Sequence, residues 1–154
     1  MATYAAQTSV SSDKSRSEIE HTLSRYGAGG FMYGWQGSKA IIMFTMRGKT
    51  VRFTLPLPDK GNPVFWKTPG GRRKRTPVDA LKQWEQACRQ KWRALALSIK
   101  AKLEAVESEI TVFEEEFLAH FVMANGESFG SYAIPLVEKS LACGKMPLLL
   151  GEGN

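Results

Sequence analysis

The sequence predicts an α+β fold in which a three-stranded antiparallel meander packs on one long amphipathic helix, with short helices on either side. Residues 76–110 carry apolar side chains at steps of three and four, the spacing of one buried helix face. Residues 31–55 contain three short apolar runs separated by Gly37-Ser38 and by Arg47-Gly48, which are typical turn pairs. At 154 residues the chain is long enough for one domain with an ordinary core.

Three ranges describe the predicted organisation of the chain. Residues 1–13 lack hydrophobic periodicity and are predicted to form a disordered N-terminal arm. Residues 14–150 are predicted to form a single α+β domain, whose first helix begins at the capping box of residues 15–18. Within that domain, residues 59–75 form a basic loop rich in turn-forming residues.

The meander is predicted to have strands at Phe31–Gln36, Ala40–Met46 and Lys49–Leu55. The second strand is apolar on both faces, which is typical of a central strand or one covered on both sides. In the third strand apolar and polar residues alternate, and this alternation places Arg52 on the face turned toward water.

The long helix has a clear start signal, because Thr76 can cap it, Pro77 needs no N–H donor there, and Asp79 suits the positive helix end. About thirty residues at 1.5 Å each give a rod of about 45–50 Å. The predicted buried face consists of Leu81, Trp84, Cys88, Trp92, Leu95, Ile99, Leu103, Val106 and Ile110.

The same helix carries a second line of side chains, which we call the cationic stripe: Lys82, Arg89, Arg93 and Lys100. These four residues fall within about 40° of one another at 100° per residue. No acid joins them until Glu107, so the stripe differs from the mixed charges of an ordinary solvated helix face. We expect the four cations to project together into water and to bind a polyanion.

The basic loop ends in four consecutive cations, Arg72, Arg73, Lys74 and Arg75. Phe65 and Trp66 precede them in the loop, and two interpretations of these aromatic residues stay open. They can close the loop over the core, or they can stack on the bases of a single strand.

After the long helix the sequence predicts a short helix from a capping box at residues 111–114 and a short strand over Phe121–Met123. A tight turn at Asn125-Gly126 follows, and then a last helix over Ser131–Ala142. The closing MPLLL segment is predicted to pack back onto the domain as an apolar tail.

Charge is distributed unevenly along the chain. The formal net charge is +6, but residues 39–102 hold sixteen Lys and Arg against three acids. Residues 103–154 hold two cations against nine glutamates, and residues 1–38 are balanced at three against three. Such an arrangement is typical of an anion-binding body with an acidic C-terminal third.

Several classes of function find no support in the sequence. No motif of a hydrolase, metalloprotease, redox enzyme or phosphate-binding loop occurs, so we expect no enzyme, no metal and no cofactor. No run of 18 apolar residues and no signal-peptide core is present, which argues against membrane insertion or secretion. Cys88 and Cys143 have no metal-site spacing, and an intracellular setting follows.

Four strings carry a resemblance to known proteins: YGAGGFMYGW, VRFTLPLPD, WEQACRQKWRALALSIKAKLEAVESEITVFEEEFLAHFV and the closing MPLLL. On these strings, residues 14–150 resemble small proteins of unassigned function encoded by phages, prophages and related mobile elements. The resemblance implies a phage setting, in the cytoplasm of a host bacterium, and it supplies no activity, cofactor or catalytic residue. The order of elements is also similar to that of double-stranded RNA-binding domains and of single-strand annealing proteins, and order alone does not establish function.

The sequence therefore favours a sequence-tolerant, nucleic-acid-binding phage accessory protein that acts in replication, recombination or packaging. No cluster of Asn or Gln indicates base readout. The expected phosphate-contacting and stacking residues are Lys82, Arg89, Arg93, Lys100, Arg72, Arg73, Lys74, Arg75, Arg52 and Trp66.

Two alternatives stay open at this point. One is a counter-defence protein of the anti-CRISPR kind, which acts by contact with a host protein. The other is a structural or assembly protein, and a homo-oligomer is possible because a helix of this length can exceed what one small sheet covers.

Overall fold

The computed structural model describes residues 5–146 and has the predicted α+β architecture. Its elements in chain order are α1 (Ser12–Arg25), β1 (Gly30–Gln36), β2 (Lys39–Met46), β3 (Lys49–Pro56), α2 (Pro63–Trp66), α3 (Pro77–Glu107), α4 (Phe113–Phe117), a 3₁₀ turn (Leu118–His120) and α5 (Phe129–Cys143). The sheet and the long helix α3 confirm the predicted fold class.

The sheet is a simple meander in the order β1-β2-β3, with both pairs antiparallel. The central strand is β2, as its apolar faces predict. Ile42 lies opposite Tyr33 on one side and Phe53 on the other, so these three side chains share one face of the sheet. The turn at Arg47-Gly48 has φ values of 49° and 73°, the mirror-image turn whose twist suits a two-residue hairpin.

One continuous core joins the sheet to the helices. Alternate residues of β2 and β3 point into it, and α1, α3 and α4 supply the opposite side. Trp92 of α3 is the largest fully buried side chain. The buried members are Ile19, Leu23, Ala40, Ile42, Phe44, Met46, Val51, Phe53, Leu55, Trp92, Ala96, Ile99, Leu103, Phe113 and Phe117.

Helix α3 begins as the sequence predicts, since the Thr76 side chain accepts a hydrogen bond from the Asp79 N–H. It ends at Glu107, before the predicted Ile110, because Glu109 adopts a left-handed backbone with φ of 58° and redirects the chain. Ile110 therefore lies beyond the helix and is 79% exposed. Leu81 is also exposed, and Ala80 is the buried residue at that end of α3.

Helix α1 begins at Ser12 with Ser11 as its cap, earlier than the predicted capping box. Ser15 lies fully buried inside the helix. The predicted disordered arm, residues 1–13, is described only from Ala5 onward. Ala5 is buried, and Gln86 of α3 donates hydrogen bonds to the carbonyls of Ala6 and Thr8. A disordered arm was predicted here, but residues 6 and 8 are bonded to α3 and residues 12 and 13 already belong to α1.

Beyond the buried residues of α4, the C-terminal part of the chain joins the domain mainly through the 3₁₀ turn. The predicted strand over residues 121–123 consists of isolated bridges from Phe121 to Val51 and from Val122 to Ser128. Helix α5 then begins two residues before its predicted start, and Gly144 caps its end with φ of 67°. A Cβ atom on Gly130 would stand 2.9 Å from the Ala119 carbonyl oxygen, so α5 approaches the 3₁₀ turn closely there. Residues 147–150 of the predicted MPLLL tail lie outside the described residues.

The His120 ring gives the fold a testable dependence on pH. It stacks on Phe53 at 4.2 Å between ring centroids. Burial lowers the pKa of His120, Lys102 acts in the same direction, and a hydrogen bond to the Arg52 backbone opposes them. Because the folded state disfavours the protonated ring, this contribution to stability is full above pH 6.5 and decreases as the pH falls below it.

We expect His120→Phe to reduce the loss of unfolding free energy between pH 7.5 and pH 5.5, measured by urea denaturation at both values. His21→Gln removes the other histidine of the chain, which is exposed, and is the matched control. An unchanged pH dependence in His120→Phe would show that the ring titrates alike in the folded and unfolded states.

Candidate nucleic-acid interface

Helix α1 interrupts the cationic stripe of α3. Arg93 forms a salt bridge with Glu18 of α1 at 2.5 Å, and both side chains are partly buried. The expectation that all four stripe cations project together into water was therefore wrong for Arg93. The sequence places Glu18 in a capping box, and it gives no sign that α1 would lie against this face of α3.

Arg89 is also engaged. Its Nε and one terminal nitrogen donate to Oε1 of Gln86 at 3.0 and 2.6 Å, and Gln86 in turn donates to the residue 5–10 segment. Lys82 and Lys100 are exposed and form no salt bridge among residues 5–146. They lie 18 positions apart on the helix, or about 27 Å, so they do not make one compact site.

The free positive charge is concentrated elsewhere, in residues 59–85, which we call the basic segment. It holds seven cations, Lys60, Lys67, Arg72, Arg73, Lys74, Arg75 and Lys82, against three acids, Asp59, Asp79 and Glu85. The four salt bridges of the described chain join Arg16 to Asp13, Lys49 to Glu114, Arg93 to Glu18 and Lys102 to Glu116. None of the seven cations takes part in them.

The two acids at the ends of this loop have local roles. Asp59 accepts a hydrogen bond from the Gly61 N–H, and Asp79 accepts one from the Thr76 hydroxyl at the start of α3. Asp59 thus closes a backbone turn, Asp79 binds the Thr76 hydroxyl, and neither forms a salt bridge within the described residues, so the local excess of positive charge stays on the surface.

Residues 67–74 form a small ordered structure, which we call the basic hairpin. Lys67 and Lys74 make an antiparallel bridge, and the Thr68 N–H donates to the Arg73 carbonyl at 2.9 Å. Gly70 and Gly71 turn the chain with φ values of 87° and 70°, a conformation that L side chains rarely adopt. Arg72, Arg73 and Lys74 follow this turn and are all exposed.

Arg75 differs from its three neighbours because its side chain joins the end of the hairpin to α2. One terminal nitrogen of Arg75 donates to the carbonyl oxygens of Val64 and Phe65, both in α2. Phe65 is buried, so it closes the loop over the interior, as one of the two open interpretations held. Trp66 remains 39% exposed, and its indole N–H donates to the Lys60 carbonyl at 3.0 Å.

Arg52 is engaged in the C-terminal part of the fold. Its guanidinium donates to the Gly126 carbonyl at 2.8 Å, in the turn that precedes α5. The side chain is half-buried, and it links β3 to that turn. We therefore assign Arg52 a structural contact that the alternation of β3 did not predict.

A groove of about 890 Å³ opens beside the basic segment, between the start of α1, the end of β1 and the first half of α3. No sequence pattern predicts this groove. Three tryptophans line it, Trp35, Trp84 and Trp92, and its polar lining includes Arg16, Lys60 and Arg89. One sequence signal bears on it: Phe31, Tyr33 and Trp35 are alternate residues of β1 and therefore share one face of the sheet. This alternation indicates that Trp35 lies on the core side.

Lys60 connects the groove to the basic hairpin. Its ammonium lies 4.3 Å from the centre of the Trp84 ring, and its carbonyl accepts the indole N–H of Trp66. Trp84 itself donates to the Pro58 carbonyl at 2.7 Å. Lys60 thus lies between the groove and Trp66, the residue that precedes the basic hairpin.

The groove itself is close to neutral. Its three cations are balanced by Asp13, Asp59 and Glu85. Asp13 contacts Arg16 directly, and the Arg16 guanidinium also lies 4.5 Å over the Tyr33 ring. Burial raises the pKa of the Cys88 thiol, which argues against a reactive thiolate in this wall of the groove.

A double-mutant cycle on Arg93→Ala and Glu18→Ala tests whether α1 neutralises the stripe. We expect a coupling free energy of about 0.5–1 kcal/mol in urea denaturation, since the pair is partly buried. Lys100→Ala with Glu18→Ala is the control and should be additive within about 0.3 kcal/mol. Equal coupling in both cycles would contradict a specific Arg93–Glu18 contact.

Comparison with known proteins adds no further information on this surface. No protein-family model, curated protein or solved structure matches the chain. Among residues 5–146, no helix has the length and apolar character needed to cross a membrane. Within the same residues, no group of three His, Cys, Asp or Glu side chains is placed to hold a metal ion.

Proposed function

We propose that the protein binds nucleic acid with little sequence preference, through the basic segment, as an accessory to phage replication, recombination or packaging. The single observation that carries this proposal is the run of seven cations in residues 59–85, none of which forms a salt bridge within the described residues. Arg93, Lys49 and Lys102 are paired with glutamates, and the other cations without salt bridges in the described chain are spread over the remainder of the sequence. Six of the seven, all except Arg75, are exposed. A dense group of exposed cations is the electrostatic footprint of a polyanion site.

The rigidity of the basic hairpin supports the proposal. The hydrogen bonds between Thr68 and Arg73 and the support from Arg75 fix the turn, so Arg72, Arg73 and Lys74 project from a pre-ordered backbone. Preordering reduces the conformational entropy that binding costs. Arginine and lysine on such a turn suit phosphate oxygens, and phosphates carry no base sequence.

Asn62 and Gln86, two of the amide side chains in or beside the basic segment, support sequence tolerance. The Asn62 side chain caps α2, and both polar groups of Gln86 bind within the protein. Because these contacts hold the Asn62 oxygen and both polar groups of Gln86, the two side chains are poorly placed for the paired hydrogen bonds that distinguish one base from another. Binding through phosphates and ring faces accepts any sequence.

Salt dependence tests this function. With about four to six phosphates contacted, we expect log K for a single strand to fall with log salt at a slope of about −3 to −4. The combined variant Arg72→Gln, Arg73→Gln and Lys74→Gln should reduce the magnitude of that slope by about 2, since each lost phosphate contact removes about 0.7. Fluorescence anisotropy at several salt concentrations measures both quantities.

Lys91→Gln is the matched control for this experiment. Lys91 is exposed on α3, half a turn of the helical wheel from Lys82, and should leave the slope and the affinity unchanged. An affinity that does not respond to salt, or an equal loss in the control, would contradict binding through the basic segment.

A second candidate function is contact with another protein through α5, and a specific observation favours it. Tyr132, Ile134, Val137 and Leu141 of this helix are all exposed, and Leu141 is 80% exposed. Only Gly130 of α5 is buried among the described residues. Apolar side chains in this number on one helix are typical of an association surface. Such contact fits either a counter-defence protein or an assembly protein.

Mass measurement by light scattering distinguishes self-association from a partner protein. If α5 pairs two copies of the chain, the protein should be dimeric at micromolar concentration, and Ile134→Glu with Leu141→Glu should return it to a monomer. Lys139→Glu changes the charge of the same helix without altering its apolar face and is the control. A monomer that captures a host protein after nuclease treatment would instead support the counter-defence function.

A further inference from the structure

We propose that the groove between α1, β1 and α3 is a base-binding site, which receives unpaired bases of a single strand while the basic hairpin holds the phosphates. The inference rests on the proposed function and deepens it, because it names the state of the strand. The two surfaces meet at Lys60, whose ammonium lies against Trp84 in the groove and whose carbonyl fixes Trp66 beside the hairpin.

Trp35 is the stacking platform of this site. In the strand register it lies opposite Ala40, whose own partner on β3 is Leu55, so its side chain stands on the sheet face that forms the core. It is nevertheless 59% exposed, because the helices that cover this face elsewhere leave the end of β1 open. Leaving a large aromatic ring exposed to water at a core-facing position disfavours the folded protein. A ligand that stacks on the ring would bury this apolar surface, so the position indicates a binding role.

The Trp35 ring packs against other aromatic rings. The Tyr33 ring meets it edge to face with 5.7 Å between ring centroids, and Tyr33 also packs on the buried Trp92 ring, again with 5.7 Å between centroids. The Arg16 guanidinium covers Tyr33 and bonds its hydroxyl at 3.2 Å. A ring supported in this way loses little freedom when a planar ligand stacks on it.

Charge separates the two parts of the proposed site. The groove lining balances three cations with three acids, so it offers no net attraction to a phosphate backbone. The basic hairpin, by contrast, presents Arg72, Arg73 and Lys74 without salt bridges in the described chain. A nucleotide has the same division, since its base is uncharged and planar and its phosphate is anionic. Single strands are bound by this combination of cations and aromatic platforms.

The groove should favour unpaired bases, because only an unpaired base has a free face that can enter it. At about 890 Å³ it is within the usual range of ligand pockets, about 300–1,000 Å³. A base inside a duplex is covered on both faces by its neighbours, and extrusion costs a few kcal/mol. A base of a single strand is already free, so the protein should prefer single strands to duplexes of equal length.

Three labelled probes test the inference by fluorescence anisotropy: an oligothymidine of about 12 nucleotides, an abasic strand with the same number of phosphates, and a duplex. Trp35→Ala should weaken oligothymidine binding about 5- to 100-fold, since one stacked base is lost. Binding of the abasic strand and the duplex should change by less than about twofold, because their contacts are to phosphates. Trp35→Phe retains a ring and should keep most of the affinity.

The outcomes separate the inference from the function on which it rests. If Trp35→Ala leaves oligothymidine binding unchanged while the hairpin variant weakens it, the base-binding groove is overturned and the proposed function stands. Equal weakening of the oligothymidine and abasic probes also overturns the groove. If the wild-type protein binds none of the probes at low salt, the proposed function itself fails. Should Trp35→Ala unfold, Trp35→Leu replaces it, because leucine keeps apolar bulk without an aromatic ring.

Discussion

Helix α1 lies along α3, and this contact neutralises Arg93 in the middle of the cationic stripe. Glu18 pairs with Arg93, the Tyr26 hydroxyl contacts Glu104, and Gln86 holds the segment before α1. Among these contacts, the salt bridge of Arg93 takes one cation of the stripe to join the two helices. The cations of the basic segment lie beyond the start of α1 and keep their charge for a ligand. The same packing leaves the end of β1 uncovered, which opens the tryptophan-lined groove.

The fold places two complementary surfaces side by side. The basic hairpin is fixed by its own backbone bonds and by Arg75, and the groove is fixed by the core through Tyr33 and Trp92. Because each part is ordered by different contacts, substitutions in one should leave the other intact. Helix α5 lies at the 3₁₀ turn and carries the apolar surface, so protein contact and nucleic-acid contact need not compete for the same residues.

Local signals in the sequence predicted the elements well. The cap at Thr76, the turn at Arg47-Gly48 and the buried face of β3 each depend on residues close in sequence, and the structure has them as predicted. The site depended on contacts between distant residues. Glu18 and Arg93 are 75 positions apart, and no periodicity within α3 could show that α1 would cover its cations. Composition likewise could not separate Arg75, which binds two carbonyls, from its exposed neighbours. The exposure of Trp35 depends on where the helices end above the sheet.

The most direct test of this account is a chemical-shift titration of ¹⁵N-labelled protein with an unlabelled oligothymidine strand at low salt. The four tryptophan indole N–H groups and the backbone amides of the basic hairpin report on the two surfaces at once. The account predicts concerted shifts at residues 67–74 and at the indoles of Trp35 and Trp84, with the amides of α5 unchanged. Shifts confined to α5 or to the Lys91 side of α3, or no shifts at all, would contradict it.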